Sequence, residues 1–158
     1  MKTQKCFTYI LIILVSAFNL VSCEVSTAPV PHTYHFFLDF SEVSTLDSLQ
    51  QIDLDKLKAN VIAKDKAGKT VLTSFDVVNG KDNPVLAVQS TTPPSDILDW
   101  ISYSIQSAEL MGESAVHILE TKWRFSNNNT HLSEITLDGI ALPPSQYNAM
   151  MYYTIPKP

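Results

Sequence analysis

Cysteine is scarce in this 158-residue chain, and both copies, Cys6 and Cys23, fall within its first 23 residues. From residue 24 onward there is no thiol. That stretch therefore has no internal disulfide, no cysteine nucleophile, no thiolate zinc site and no iron–sulfur cluster. It must stand on packing alone. Glycine is scarce too: four residues in the whole chain leave no scope for a Gly-rich phosphate cradle. Positive charge is the minority sign, with 11 Lys+Arg against 16 Asp+Glu and a net charge of −5. A nucleic-acid partner needs a basic stripe to neutralise phosphates, so that class is excluded. Long apolar runs are confined to Phe7–Val21. A spanning helix needs roughly 20 predominantly apolar residues. This run is shorter, and Ser16 and Asn19 interrupt it, so no permanent transmembrane helix is expected.

What is present starts with a leader. Lys2 and Lys5 form a short basic head without an acidic residue, and the apolar run follows. The length of that run suits the core of a secretory signal. It closes on Leu20-Val21-Ser22-Cys23. This tetrapeptide resembles the lipobox of bacterial lipoproteins, in which an aliphatic residue, a small or aliphatic residue and a small residue precede an invariant cysteine. The resemblance covers the leader only. It implies cleavage before Cys23 and a diacylglycerol joined to the Cys23 thiol. One acyl chain holds a protein to a membrane only marginally, whereas two or more hold it stably. Glu24 follows where an aspartate would favour inner-membrane retention in enterobacteria, so the resemblance implies an outer membrane in a Gram-negative cell. Otherwise it implies the outer face of the plasma membrane.

This divides the chain into a signal peptide (1–22), a lipidated cysteine with its tether (23–32) and one globular domain (33–158). Pro29 and Pro31 stiffen the tether towards an extended form. Without Lys2 and Lys5, 9 basic residues face 16 acidic ones, a net charge of −7 for residues 23–158. Such a charge does not adhere to anionic lipid, so the acyl chains must do the anchoring.

The domain reads as mainly β: a single antiparallel β-sandwich-like unit with at most one or two helices. Tyr34–Phe40 is rich in aromatic residues, as strands prefer. Thr45–Ile52 suits a short helix capped by Thr45, with Leu46, Leu49 and Ile52 along one side. The segments 57–64 and 70–78 flank Asp65-Lys66-Ala67-Gly68 and read as a hairpin. Asn79-Gly80 marks a further turn before Val85–Val88. His117–Phe125, Leu132–Leu137 and Tyr147–Ile155 are strand candidates, separated by the turn-formers Asn127-Asn128-Asn129, Asp138-Gly139 and Pro143-Pro144. The short connections point to antiparallel pairing throughout. One stretch admits two readings. As a helix, 95–111 places Ile97, Leu98, Trp100, Ile101, Ile105, Ala108 and Met111 on one arc, between prolines and Gly112. The domain would then be α+β, with that helix packed on an antiparallel sheet. As a strand, Ile101–Ile105 alternates cleanly and pairs with 115–125 across a turn at 111–114.

Few residues suggest chemistry. On a strand, His32 and His35 point to opposite faces and do not make a metal site. His117 reads as packed against Leu119 and Thr121. The carboxylates of Asp53-Leu54-Asp55 and Asp76–Asp82 lack the spacing of a calcium loop and read as solvated. Gly112-Glu113-Ser114 lacks the last glycine of a nucleophile elbow. Asp96 and Asp99 make an acid/base pair only if their environments separate their pKa values. Trp100, Trp123, Phe125, Tyr147, Tyr152 and Tyr153 either fill the core or supply an exposed patch for a glycan or protein. The sequon Asn128-Asn129-Thr130 reads as a polar turn in a bacterial protein. No cofactor, metal or catalytic residue is expected.

The leading expectation is thus a lipid-anchored envelope protein, attached through Cys23, that binds or assembles without catalysing. Its partner would be an envelope protein or a glycan. The alternatives are an envelope hydrolase with a dispersed site around His117, His131 or carboxylates, and a secreted protein without lipid.

Overall fold

The computed structural model describes residues 29–44 and 49–157. The leader and Cys23 lie outside the described residues, as do Thr45 and Leu46 of the expected helix. That helix is represented by one 3-10 turn, Leu49–Gln51. The domain is a two-sheet β-sandwich. In the first sheet the strand order is β3 (Leu72–Asn79), β4 (Pro84–Thr92), β1 (His32–Asp39), β10 (Met150–Thr154) and β9 (Pro144–Tyr147). In the second it is β2 (Val61–Lys64), β5 (Trp100–Ile105), β6 (His117–Ser126), β7 (Asn129–Leu137) and β8 (Ile140–Ala141).

Period-2 alternation builds the core between the sheets. Tyr34, Phe36 and Leu38 of β1 face inward, as do Ile101, Tyr103 and Ile105 of β5 and Leu119 and Trp123 of β6, and all are buried. Edge-to-face pairs cross the gap: Tyr34 with Trp123 at 5.2 Å and Phe36 with Tyr103 at 5.4 Å between ring centroids. This geometry suits the ring quadrupoles. The polar groups at the centre of the core, Ser90, Tyr103, Thr121 and Trp123, have partners. The Ser90 hydroxyl bonds Thr73 Oγ1 at 2.8 Å and Tyr103 Oη at 2.9 Å. Trp123 Nε1 donates to Thr121 Oγ1 at 2.8 Å, and Thr121 Oγ1 donates to Ile101 O at 3.1 Å. The hydroxyls of Thr73, Ser90 and Tyr103 therefore join the two sheets. Burial pushes the Tyr103 phenol up, with the Ser90 and Thr121 hydroxyls opposing.

Four expectations change. The helix over 95–111 is absent: Trp100–Ile105 is a strand, paired with β6 from Trp100↔Lys122 to Ile105↔His117. Only Ala108–Met111 (α2) is helical, capped by Ser107 and ended by Gly112 at φ +75°. The α+β alternative falls with it, because alternation, not a helical arc, decides which side chains of β5 are buried. The hairpin across Asp65–Gly68 starts and then parts. Asp65 Oδ1 accepts from Ala67 and Lys69 N–H, and Lys64 bridges Thr70. Val71 is then drawn into the core, and β3 joins β4 in the other sheet. Residues 54–60, the front of that expected strand included, form helix α1 (Leu54–Asn60), because Asp53 Oδ1 accepts from Asp55 and Lys56 N–H at 3.0 Å each. Finally, one pairing is parallel. β1 and β10, the first and last strands, run side by side from Phe37↔Tyr152 to Asp39↔Thr154. The whole intervening domain serves as their crossover, so short loops are no obstacle.

Candidate binding surface

The outward face of the second sheet carries a shallow trough with mixed apolar and hydroxyl lining. Strand β5, between β2 and β6, presents Trp100, Ser102 and Ser104 outward. Ser104 lies between Ile62 of β2 and Ile118 of β6, and Ser102 between Lys64 and Glu120. The two serines of β5 keep the floor low, so the larger side chains of β2 and β6 become walls. The result is a shallow trough of about 500 Å³, with Trp100 at one end and Ile62 and Ile118 at the other. Ile62 and Ile118 are exposed and Trp100 is half-buried. Charged pairs rim the Trp100 end: Lys66 Nζ to Asp99 Oδ2 at 2.6 Å and Lys122 Nζ to Glu134 Oε2 at 2.9 Å. The Lys66 ammonium holds the Asp99 carboxyl below the usual carboxylate range. Hydroxyl groups beside an indole face can stack and hydrogen-bond a planar or cyclic polar ligand.

The expected acid/base candidates do not converge. Asp96 pairs with Lys69 at 3.0 Å, which lowers its carboxyl, and Asp99 pairs with Lys66. Each aspartate has its own lysine and neither shares a proton with the other. Asp53 caps α1 and Asp76 accepts from Val77 N–H. Ser114 is exposed in the β5–β6 connection. Among the described residues no group of three His, Cys, Asp or Glu side chains forms a metal centre. His32 and His35 do lie on opposite faces of β1: His32 packs edge-on to Phe125 at 4.9 Å and His35 to Phe37 at 4.5 Å. Partial burial lowers the His35 pKa. His131 is exposed across from Arg124, at the other end of the sheet from His117.

His117 is the one histidine with a built surround. It is buried at the start of β6, and Nδ1 donates to Asp138 Oδ2 at 2.8 Å. Nε2 lies 3.2 Å from Glu113 Oε1 without making a hydrogen bond. The other Asp138 oxygen accepts from Ile118 N–H at 2.8 Å. Partial burial pushes the Asp138 carboxyl up, but the Ile118 and His117 bonds together outweigh it and hold it low. Both ring nitrogens face carboxylates, which suits a structural clasp between the β5–β6 connection and the β7–β8 turn.

The aromatic residues divide. Trp123 and Tyr153 are core, Trp100 and Tyr152 are half-buried, and Phe125 is exposed. The Tyr147 side chain lies outside the described residues. Ile62 and Ile118 escaped the sequence reading. Their signal was an apolar residue on the polar face of an alternating strand, as Ile118 shares its face with Glu120 and Lys122. No protein-family model, curated protein or solved structure matches the chain.

Proposed function

We propose that this chain is a lipid-anchored cell-envelope protein that binds a glycan or protein partner, without catalysis, on the outer face of its second sheet. The anchoring half rests on Leu20-Val21-Ser22-Cys23 behind a basic head and an apolar core. The binding half rests on one feature, the half-buried Trp100 standing over a serine floor with apolar residues at the far end of the trough. A hydrolase built on His117 is the poorer reading, because the ring is buried, its Nδ1 is held by Asp138, and its Nε2 faces the Glu113 carboxylate, not a hydroxyl nucleophile.

Two measurements test this. In bacterial cells fed an alkyne fatty acid, the wild-type chain should label and Cys23→Ala should not; equal labelling sinks the anchoring half. Immobilised envelope glycans and envelope protein extracts should retain the wild type. Trp100→Ala should lose about tenfold in affinity, the equivalent of 1.4 kcal/mol, with an unchanged unfolding midpoint. Unaltered retention by Trp100→Ala would remove the trough as the binding surface.

A further inference from the structure

We infer that the domain has a built-in membrane-facing end: the sandwich tip that carries residues 29–33, the β2–β3 and β4–β5 connections and the β6–β7 turn. This rests on lipidation of Cys23, proposed above. The ends of the two sheets are matched in space. At one end His32 packs on Phe125 and Thr130 Oγ1 donates to Thr33 O. At the other end Ser44 Oγ donates to Glu109 O, just beyond the last residue of β1.

Reach decides which end meets the lipid. From Cys23 to Pro29, six Cα steps span at most about 21 Å. The eight residues of β1 run about 26 Å from the tether end to the opposite tip. The tether is therefore shorter than the domain is long, and the opposite tip cannot be brought to the membrane above it.

The side chains at the two tips fit that order. The tether tip exposes Val30 at 77%, Leu72 at 70% and Ile97 at 52%, with Phe125 beside them. Its aspartates are matched: Asp96 by Lys69 and Asp99 by Lys66, with Arg124 and Asp65 also at that tip. The opposite tip exposes Val116 and Ile140 too, but there Lys56, Lys58, Lys81 and Lys157 stand against Glu42, Asp53, Asp55, Asp82, Glu109, Glu113 and Asp138, with Lys56 paired to Glu109 and Lys81 near Asp82, which leaves that tip with an excess of acid. An anionic lipid surface repels that acidic tip and tolerates the balanced one. Apolar side chains at the balanced tip can enter the headgroup boundary, adding buried area to the hold of the acyl chains.

Depth-dependent quenching tests this on the acylated full-length protein. Since acylation consumes Cys23 and Cys6 leaves with the leader, one introduced cysteine gives one labelling site. An NBD fluorophore is attached at Ile97→Cys or, separately, at Ile140→Cys, in phosphatidylcholine–phosphatidylglycerol vesicles carrying headgroup nitroxide lipid. Quenching should be several-fold stronger at 97 than at 140. Equal quenching, or stronger quenching at 140, overturns the orientation while intact mass still shows the diacylglyceryl group. If the mass shows no lipid and the protein stays in the aqueous phase, the anchoring reading fails and this inference with it.

Discussion

Asp138 illustrates how much one residue can hold in a domain without disulfides. It occupies the left-handed region at φ +51°, ahead of Gly139 at φ +82°, in the two-residue turn between β7 and β8. An aspartate or asparagine tolerates that conformation where a branched residue would not. One carboxylate oxygen receives Ile118 N–H and the other receives His117 Nδ1–H. Asp138→Asn keeps the turn geometry and an acceptor oxygen but removes the charge. The side chain is nearly half exposed, so solvent screens it, and a cost of about 1 kcal/mol at neutral pH is expected. The sign of the pH dependence follows from the depressed carboxyl. Its stabilisation is complete above the unfolded aspartate value of about 3.9 and is lost as pH falls through the lower folded value. Urea unfolding from pH 7 to pH 2 should show the wild type ahead of Asp138→Asn at neutral pH, with the gap closing in acid. A gap independent of pH would mean that the charge is not what stabilises the turn.

At the scale of elements, turns govern the outcome. Gly80 closes the β3–β4 connection, its N–H donating to Asn83 O at 3.1 Å. A Cβ there would stand 2.4 Å from that same carbonyl oxygen and 2.9 Å from Val85 Cγ1. Gly68 sits at φ +80° with nothing near its missing Cβ. Gly68→Ala should therefore cost about 1–2 kcal/mol of left-handed strain, and Gly80→Ala more, because backbone must move. Thermal unfolding of the two variants checks this, and the reverse order would contradict it. Turn chemistry was also the most legible part of the sequence. Asn79-Gly80, Asp138-Gly139 and the Asn127–Asn129 run all stand where strands end. Strand existence was legible from alternation, and β1, β6 and β7 lie close to where it places them. What failed was partnership. Residues 61–64 and 72–79 flank a well-formed turn yet belong to different sheets, and only the burial of Val71 separates them. The turn at Asn148, φ +53°, cuts Tyr147 from the strand expected over 147–155: Tyr147 ends β9, which begins on the expected separator Pro143-Pro144, and only 150–154 form β10. A lone asparagine among aromatic residues gave no contrast there. The candidate trough was legible only in part. Trp100 is conspicuous in the sequence, but its low serine floor and the isoleucines beyond it exist only once β2, β5 and β6 are in register.

For the molecule as a whole, the parallel pairing of β1 and β10 closes the fold, because it ties the C-terminal strands beside the first strand of the domain. Ile155 N–H donates to Asp39 O at 2.9 Å just past the last paired position. Ile155 is fully buried and Tyr153 nearly so, both within the common core. Burying side chains of this size contributes about 1.5–3 kcal/mol each, and each ladder hydrogen bond about 1 kcal/mol net. A chain ended after Ala141 also loses Leu142, another core residue, and leaves one edge of β1 unpaired. These losses together are comparable to the 5–15 kcal/mol that typically holds a domain folded. Such a truncation should therefore show no cooperative thermal transition and a collapsed near-ultraviolet circular dichroism signal. Ending the chain after Ile155, which removes only Pro156, Lys157 and Pro158, should leave the midpoint within about 2 °C of the full-length chain, as surface changes of at most ~0.5 kcal/mol do. A cooperative transition in the shorter chain would mean that the two sheets are held by their facing core alone, and that the first-to-last strand pairing adds little.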